Sequence, residues 1–239
     1  MLRRLIPRAL VDYRRRAVTD RIDAQYANHS PEEIFGDIYR KNLWGGGATD
    51  YNSGTGSHQE TVVAPYVNAL RTFLTDLPDK PDVVDLGCGD FNVGSRLRDA
   101  CAGYVACDVV AELIERNARR FASLNVTFRQ LDIVADELPA GDIVFLRQVL
   151  QHLSNDQIAR ITPKLYRYRW LVLTEHLPAR ATFVPNHDKA AGPGVRLRFG
   201  SGVVLTAAPF NLQTVERREL CSVMDGSDVV ETLAYRLSG

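Results

Sequence analysis

Five short runs rich in β-branched residues alternate with helical stretches, and this alternation restricts the chain more than any other feature of it. The runs are Val83–Leu86, Tyr104–Cys107, Val126–Phe128, Ile143–Leu146 and Leu171–Thr174, with helical stretches at Leu113–Phe121 and Asp156–Leu165. Strands spaced this way by helices imply βαβ crossovers and a parallel sheet covered on both faces. Thr214–Val223 and Asp228–Leu237 then face each other across Met224–Ser227, which reads as an antiparallel hairpin closing the sheet. The expected fold class is α/β: a doubly wound, mostly parallel sheet of Rossmann-like type with an antiparallel C-terminal hairpin.

The 239 residues, 45% hydrophobic and 24% charged, suffice for one soluble domain with an extension. With 29 Lys+Arg against 29 Asp+Glu, no overall positive charge attracts nucleic acid. Cys88, Cys101, Cys107 and Cys221 form no C-x-x-C pair, as expected of thiols in a reducing, cytoplasmic compartment. No apolar run reaches the length of a membrane span, and arginines interrupt the start, MLRRLIPRALVDYRRR. That start, to about residue 27, reads as a cationic amphipathic helix. It would pack on the domain or on a second subunit of a homo-oligomer, or associate weakly with an anionic membrane or polymer.

Ser30 reads as the N-cap of a helix with Pro31 at its first position. The glycine-rich stretch from Gly45 to His58 reads as a mobile loop, and Glu60–Leu77 as a further helix. Residues 1–59 are therefore expected to form a helical extension and a Gly/Ser lid, and residues 60–239 the main domain with an insertion near 177–212.

The sharpest motif is Asp85-Leu86-Gly87-Cys88-Gly89-Asp90-Phe91-Asn92, placed after a strand and before an expected helix. Gly87 and Gly89 allow a tight turn and close approach of a ligand, and helix-start amides would offer donors. The dinucleotide fingerprint G-x-G-x-x-G would put glycine at position 92, where the chain has Asn92, which weakens a nicotinamide or flavin reading. Asp108 ends the next strand, where a carboxylate can accept ribose hydroxyls, and Asp132 stands one strand later. With Asp85, these acids outline a site for an adenosine-containing ligand at the carboxyl edge of the sheet.

From Glu60 to Gly239 the chain resembles the class I S-adenosylmethionine-dependent methyltransferases, on the glycine motif, Asp108, Asp132, Leu146-Arg147-Gln148-Val149 and the terminal hairpin. The resemblance implies a seven-stranded sheet and S-adenosyl-L-methionine as cofactor, with S-adenosyl-L-homocysteine as product. It implies Gly87 and Gly89 beside the methionine part, Asp108 on the ribose, Asp132 near the adenine amino group and Arg147 or Gln148 along the edge, with Asp85, Cys88, Val109 and Ile133 as further cofactor contacts. Phe91 stands where the family often has a third glycine. Within the family, Trp44-Gly45-Gly46 followed by Ser53-Gly54-Thr55-Gly56-Ser57 resembles small bacterial members with a glycine-serine lid, which implies Trp44, Gly56 or Ser57 as cofactor contacts.

For a hydroxyl acceptor the enzyme must align the nucleophile and remove a proton, and histidine is the natural base near neutrality. His152 and His176 follow the fourth and fifth strands and are the catalytic candidates, whereas His29 reads as plain surface. The resemblance places acceptor pockets in the Phe183–Phe210 insertion, where Asn186, His187, Asp188, Arg196 and Arg198 suit a saccharide or other polar acceptor. His58, Glu175, His187, Asp188 and Arg196 are the substrate-binding candidates. A divalent ion can replace a histidine base, but Glu175, His187 and Asp188 have no diagnostic spacing and no metal is predicted. The proline-rich motif of enzymes that methylate nucleic-acid amino groups is absent after the fourth strand. O-methylation leads; a catalytically silent cofactor- or polymer-binding protein and a nucleotide-dependent oxidoreductase are the alternatives.

Overall fold

The computed structural model describes residues 25–26, 29–45 and 51–238 of the chain. The expected N-terminal helix and Gly46–Gly47 fall almost wholly outside them. The described residues form a seven-stranded sheet in the order β3-β2-β1-β4-β5-β7-β6. Strands β1 (Val83–Leu86), β2 (Tyr104–Asp108), β3 (Thr127–Gln130), β4 (Ile143–Arg147) and β5 (Trp170–Pro178) are parallel. Strands β6 (Thr214–Asp225) and β7 (Asp228–Leu237) form the antiparallel hairpin, with β7 paired along the whole of β5.

Period-two alternation sorts the central strands between two cores. Val84, Leu86, Val144, Leu146, Leu171 and Leu173 share one cluster with Ile158 and Ile161 of α5 (Asn155–Ile161). Val83, Ile143, Phe145, Trp170 and Val172 face the other cluster, which holds Tyr66, Val67, Leu70 and Phe73 of α3 (Glu60–Thr75). The helix expected at Ser30 is α1 (Pro31–Arg40), with a capping box between Ser30 and Glu33. Helix α4 (Ala111–Arg120) follows β2. None of the helices among the described residues is long and apolar enough to cross a membrane.

Four local expectations are corrected. The glycine turn is followed by two single 3-10 turns, Gly94–Arg96 and Arg98–Ala100, so no long helix aims its amides at the turn. The expected loop contains one helical turn, α2 (Thr55–His58). The 156–165 helix is shorter, changing at Thr162 to a 3-10 segment that ends at Arg167. Strand β5 runs four residues past Thr174, because β7 supplies ladder partners as far as Pro178.

Phe91 takes a positive φ of 62°, a conformation that costs a bulky residue energy. Its ring offsets that cost by complete burial, with edge contacts to Tyr104, Phe121 and Phe128 at centroid distances of 5.5, 5.2 and 5.0 Å. Phe91→Ala is expected to lower unfolding stability by about 3–5 kcal/mol in urea denaturation. A loss under about 1 kcal/mol would contradict this packing role.

Candidate active site

The turn after β1 is built from backbone groups held at each step. The amides of Gly87 and Cys88 both donate to the Cys107 carbonyl, at 2.8 and 2.9 Å. Gly89 donates its N–H to Asp108 Oδ2 at 3.0 Å, and its carbonyl accepts from Asn117 Nδ2 at 2.7 Å. Asn117 lies on α4 and is fully buried, so β2 and the following helix together fix this peptide. Gly87 has φ +78°, and a Cβ there would lie 2.5 Å from Val149 Cγ2. Gly89 has φ +56°, and its Cβ would collide with Ser53 Oγ. Left-handed geometry and close approach thus both require glycine.

Segment 51–58 is tied onto this turn. Ser53 Oγ accepts from the Asp90 amide at 2.8 Å, while the Ser53 amide donates to Asp90 Oδ2 at 3.1 Å. Asn92 Nδ2 donates to the Ser57 carbonyl at 2.7 Å. From the end of β4, Arg147 donates to the Gly56 carbonyl at 2.6 Å and to Ser57 Oγ at 3.2 Å. A Cβ on Gly56 would run into the Gln148 amide.

Between the turn, the segment and the carboxyl ends of the strands lies a cavity of about 330 Å³. It brings together Trp44, Gly56, Ser57, Asp85, Gly87, Cys88, Gly89, Asp108, Val109, Asp132, Ile133, Arg147 and Gln148, every cofactor-contact residue named from the sequence. His152 and His176 also line it. His152 Nδ1 lies 3.3 Å from the Gly192 carbonyl, and its ring sits against Trp44 with centroids 5.1 Å apart. His176 lies 3.9 Å from Asp225 through Nε2. Four buried polar atoms on residues of this wall, Trp44 Nε1, Arg147 Nε, Gln151 Oε1 and His176 Nε2, have no hydrogen-bond partner among the described residues.

The proposed substrate contacts fall elsewhere. His58 turns to Asp90, with Nε2 2.5 Å from Oδ2. Glu175 precedes His176 on β5 and therefore faces the other side of the sheet. His187 stacks on Phe199 with centroids 4.2 Å apart. Asp188 accepts from the amides of Asn155 and Lys189, each at 2.8 Å. Arg196, 1% exposed, donates to the carbonyls of His187, Leu150, Gln151 and Leu153 and to Asn155 Oδ1. The insertion's polar groups thus fasten it to the loop after β4, because buried chain without regular structure must pair its carbonyls. None of these five residues lines the cavity. Among the described residues no three His, Cys, Asp or Glu side chains group as metal ligands.

Sequence reasoning missed Asp90, Asn117, Gln151 and Asp225. The acid directly after Gly89 was a usable signal for Asp90. A lone asparagine on an amphipathic helix and an aspartate in a turn gave none.

Burial dominates the electrostatics. It pushes the carboxyl of Asp85 up to about 7, against the hydrogen bond from Tyr104. Asp108 rises to about 6, restrained by the backbone amides that it accepts from. Burial lifts Glu175 to about 8 against the Arg196 guanidinium. His152 falls to about 3 through burial and the nearby Lys189 cation, so its ring is neutral. Burial also lowers His176, with Asp225 and Asp228 opposing.

Residues 83–169 match the family model of a methyltransferase domain. A 79-residue stretch is 34% identical to uncharacterized methyltransferases of Mycobacterium tuberculosis and Mycobacterium bovis. It covers 32% of this chain, and the chain spans only 40% of the length of these curated relatives. Among solved structures, the N-methyltransferase NodS from Bradyrhizobium japonicum, in complex with S-adenosyl-L-homocysteine, is 16% identical with a TM-score of 0.61, covering 84% of this chain and 98% of that one. Magnesium protoporphyrin IX methyltransferase from Synechocystis is 16% identical with a TM-score of 0.55, covering 93% and 99%. Human N-acetylserotonin methyltransferase is 14% identical with a TM-score of 0.59, covering 98% and 68%. At such identities the likeness is one of fold. Residues 83–169 are thus identified as a methyltransferase domain, and the described residues take the fold of S-adenosylmethionine-dependent methyltransferases. The matched model is that of a methyltransferase domain, which counts against the oxidoreductase alternative.

The raised carboxyls make a pH test. A group whose folded pKa is raised contributes stability that is complete below its unfolded pKa and is lost as pH rises through the folded value. For Asp85, Asp108 and Glu175 the loss begins near the unfolded carboxyl values of about 4 and ends at about 7, about 6 and about 8 respectively, so above pH 6.5 Asp85 and Glu175 carry what remains of it. His152, lowered, costs stability only as pH falls below its unfolded value of about 6.5. The ligand-free protein is therefore expected to have a higher urea midpoint at about pH 6.5 than at about pH 8.5, with a smaller difference in Asp85→Asn. An unchanged difference in that variant would contradict the assignment.

Proposed function

We propose that the protein transfers a methyl group from S-adenosylmethionine to a hydroxyl of a polar small molecule, saccharides included, with His176 as the base. The observation that carries this reading is that the glycine turn, Asp108, Asp132 and both strand-end histidines line one cavity at the carboxyl edge of the sheet. Three of its unpartnered polar atoms, Trp44 Nε1, Arg147 Nε and Gln151 Oε1, fit an occupant that supplies the missing hydrogen bonds. Asp108 would hold the ribose hydroxyls, Asp132 and Ile133 would border the adenine, and Gly87 to Gly89 would admit the methionine part. The 51–58 segment would act as the lid. Bound there, S-adenosylmethionine supplies a methyl already activated on a sulfonium.

The chain's own task is then alignment and proton removal. Arg147 stacks on Tyr66, 4.9 Å from the ring centroid, and holds the lid by Gly56 and Ser57. Its closure excludes water from the reacting groups. Gln151 Oε1 and Trp44 Nε1 leave one acceptor and one donor unmet, which hydroxyls of a polar acceptor other than the reacting one would satisfy. His152 is a poor store for a proton, because burial and Lys189 oppose its charge, so its part is to orient the acceptor. At His176 burial also opposes the charge, but the carboxylates of Asp225 and Asp228 offset part of it, whereas at His152 the Lys189 cation adds to it, so His176 is the better base of the two.

Isothermal titration with S-adenosylmethionine, followed by mass spectrometry of products from a panel of sugars, phenols and amines, tests the reading. Binding with a methylated hydroxyl product is expected, and a product methylated only on nitrogen would overturn the O-methylation assignment. Asp108→Ala removes the ribose acceptor and should weaken cofactor binding by about 1–3 kcal/mol. Unchanged affinity would refute its role. Binding with no turnover on any acceptor would favour the catalytically silent alternative.

A further inference from the structure

The hairpin that closes the sheet also brings a second residue to the base. Asp225 ends β6, one turn from Asp228, where β7 begins. The cavity is lined by His176 and also by Asp225, although the two are 49 residues apart in sequence. Their closest approach, His176 Nε2 to Asp225 Oδ2, is 3.9 Å. That nitrogen is buried and has no hydrogen-bond partner among the described residues. The His176 side chain is 16% exposed and that of Asp225 33%. Asp225 and Asp228 are the charged groups that act on the ring, and both favour its cationic form.

We propose that Asp225 is a positioning residue for His176: it selects the tautomer with the proton on Nε2 and leaves the Nδ1 lone pair as the base. The inference rests on the reading of His176 as base and adds the residue that makes it one. A neutral imidazole carries a single N–H, and the ring nitrogen that faces a carboxylate is the one that keeps it. At 3.9 Å the pair is beyond a direct hydrogen bond but within ion-pair reach. A contraction of about 1 Å makes the bond once the ring becomes charged. When the acceptor hydroxyl gives its proton to Nδ1, the O–H bonding pair stays on oxygen, which is then the nucleophile. The resulting imidazolium turns its Nε2–H toward Asp225 and is stabilised there. The antiparallel hairpin thereby adds a catalytic orientation to its structural task of closing the sheet.

The test needs no acceptor. Long-range proton–nitrogen NMR of the full chain, labelled on histidine nitrogens and saturated with S-adenosyl-L-homocysteine, reports the tautomer and protonation constant of each of the five histidines. The His176 signals are assigned by their loss in His176→Gln. The wild-type ring is expected as the Nε2–H tautomer. In Asp225→Asn its protonation should weaken by about tenfold, moving the titration to lower pH, with partial return in Asp225→Glu. An Nδ1–H tautomer in the wild-type protein would overturn the proposal without recourse to any variant. So would a His176 titration unchanged in Asp225→Asn. Failure of the methyltransferase reading is separate, since it appears as an absence of heat on titration with the cofactor. Failure of His176 as base appears as full turnover in His176→Gln, whatever the tautomer.

Discussion

The peptide of Gly89 is the fixed point of this site. Its N–H is taken by Asp108 from the end of β2 and its carbonyl by Asn117 from α4. Two successive amides before it converge on Cys107. Four hydrogen bonds thereby hold a turn that passes through positive φ at Gly87, Gly89 and Phe91. Such a path is sterically costly for ordinary residues and persists because its surroundings over-determine it. The cavity exists because the chain leaves β1 along this path instead of continuing into a helix.

The same turn anchors what lies above it. Asp90 grips Ser53 through both backbone and side chain, and Asn92 takes the Ser57 carbonyl. Arg147 reaches the same segment from the end of β4, so the turn after β1 and β4 both hold it, and they meet at Ser57. These are polar, partly exposed contacts rather than a packed apolar face. In the lid role proposed for it, a segment held by such bonds would open at modest cost, while the sheet beneath packs against two apolar cores. Entry and catalysis place opposite demands on a site, and rigid and labile contacts are here divided between different layers.

The sheet was legible because its information is periodic. Alternating β-branched runs placed β1 to β5 to within a few residues, and the hairpin was visible from its two facing runs. The glycine turn and the acids at strand ends were legible because their geometry demands particular residue types at particular spacings. The insertion misled for a physical reason. His187, Asp188 and Arg196 look alike in sequence whether they meet a ligand or the chain's own backbone, and here burial commits Arg196 to carbonyls. Asp225 was invisible for the converse reason: an aspartate beside Gly226 serves a hairpin turn whether or not its carboxylate reaches another strand. The helix expected after the glycine turn failed because two 3-10 turns cover the same stretch once Phe91 is driven into the core.

In the proposed function one cavity at the carboxyl edge of the sheet holds both cofactor and acceptor, with the reacting centre facing β5. A crystal structure of the protein with S-adenosyl-L-homocysteine tests this most directly. Ribose hydroxyls are expected on Asp108, adenine beside Asp132 and Ile133, the sulfur directed toward His176, and segment 51–58 closed over the ligand. A ligand whose sulfur faces away from His176, or one bound outside the contacts of Gly87 to Gly89, would contradict it.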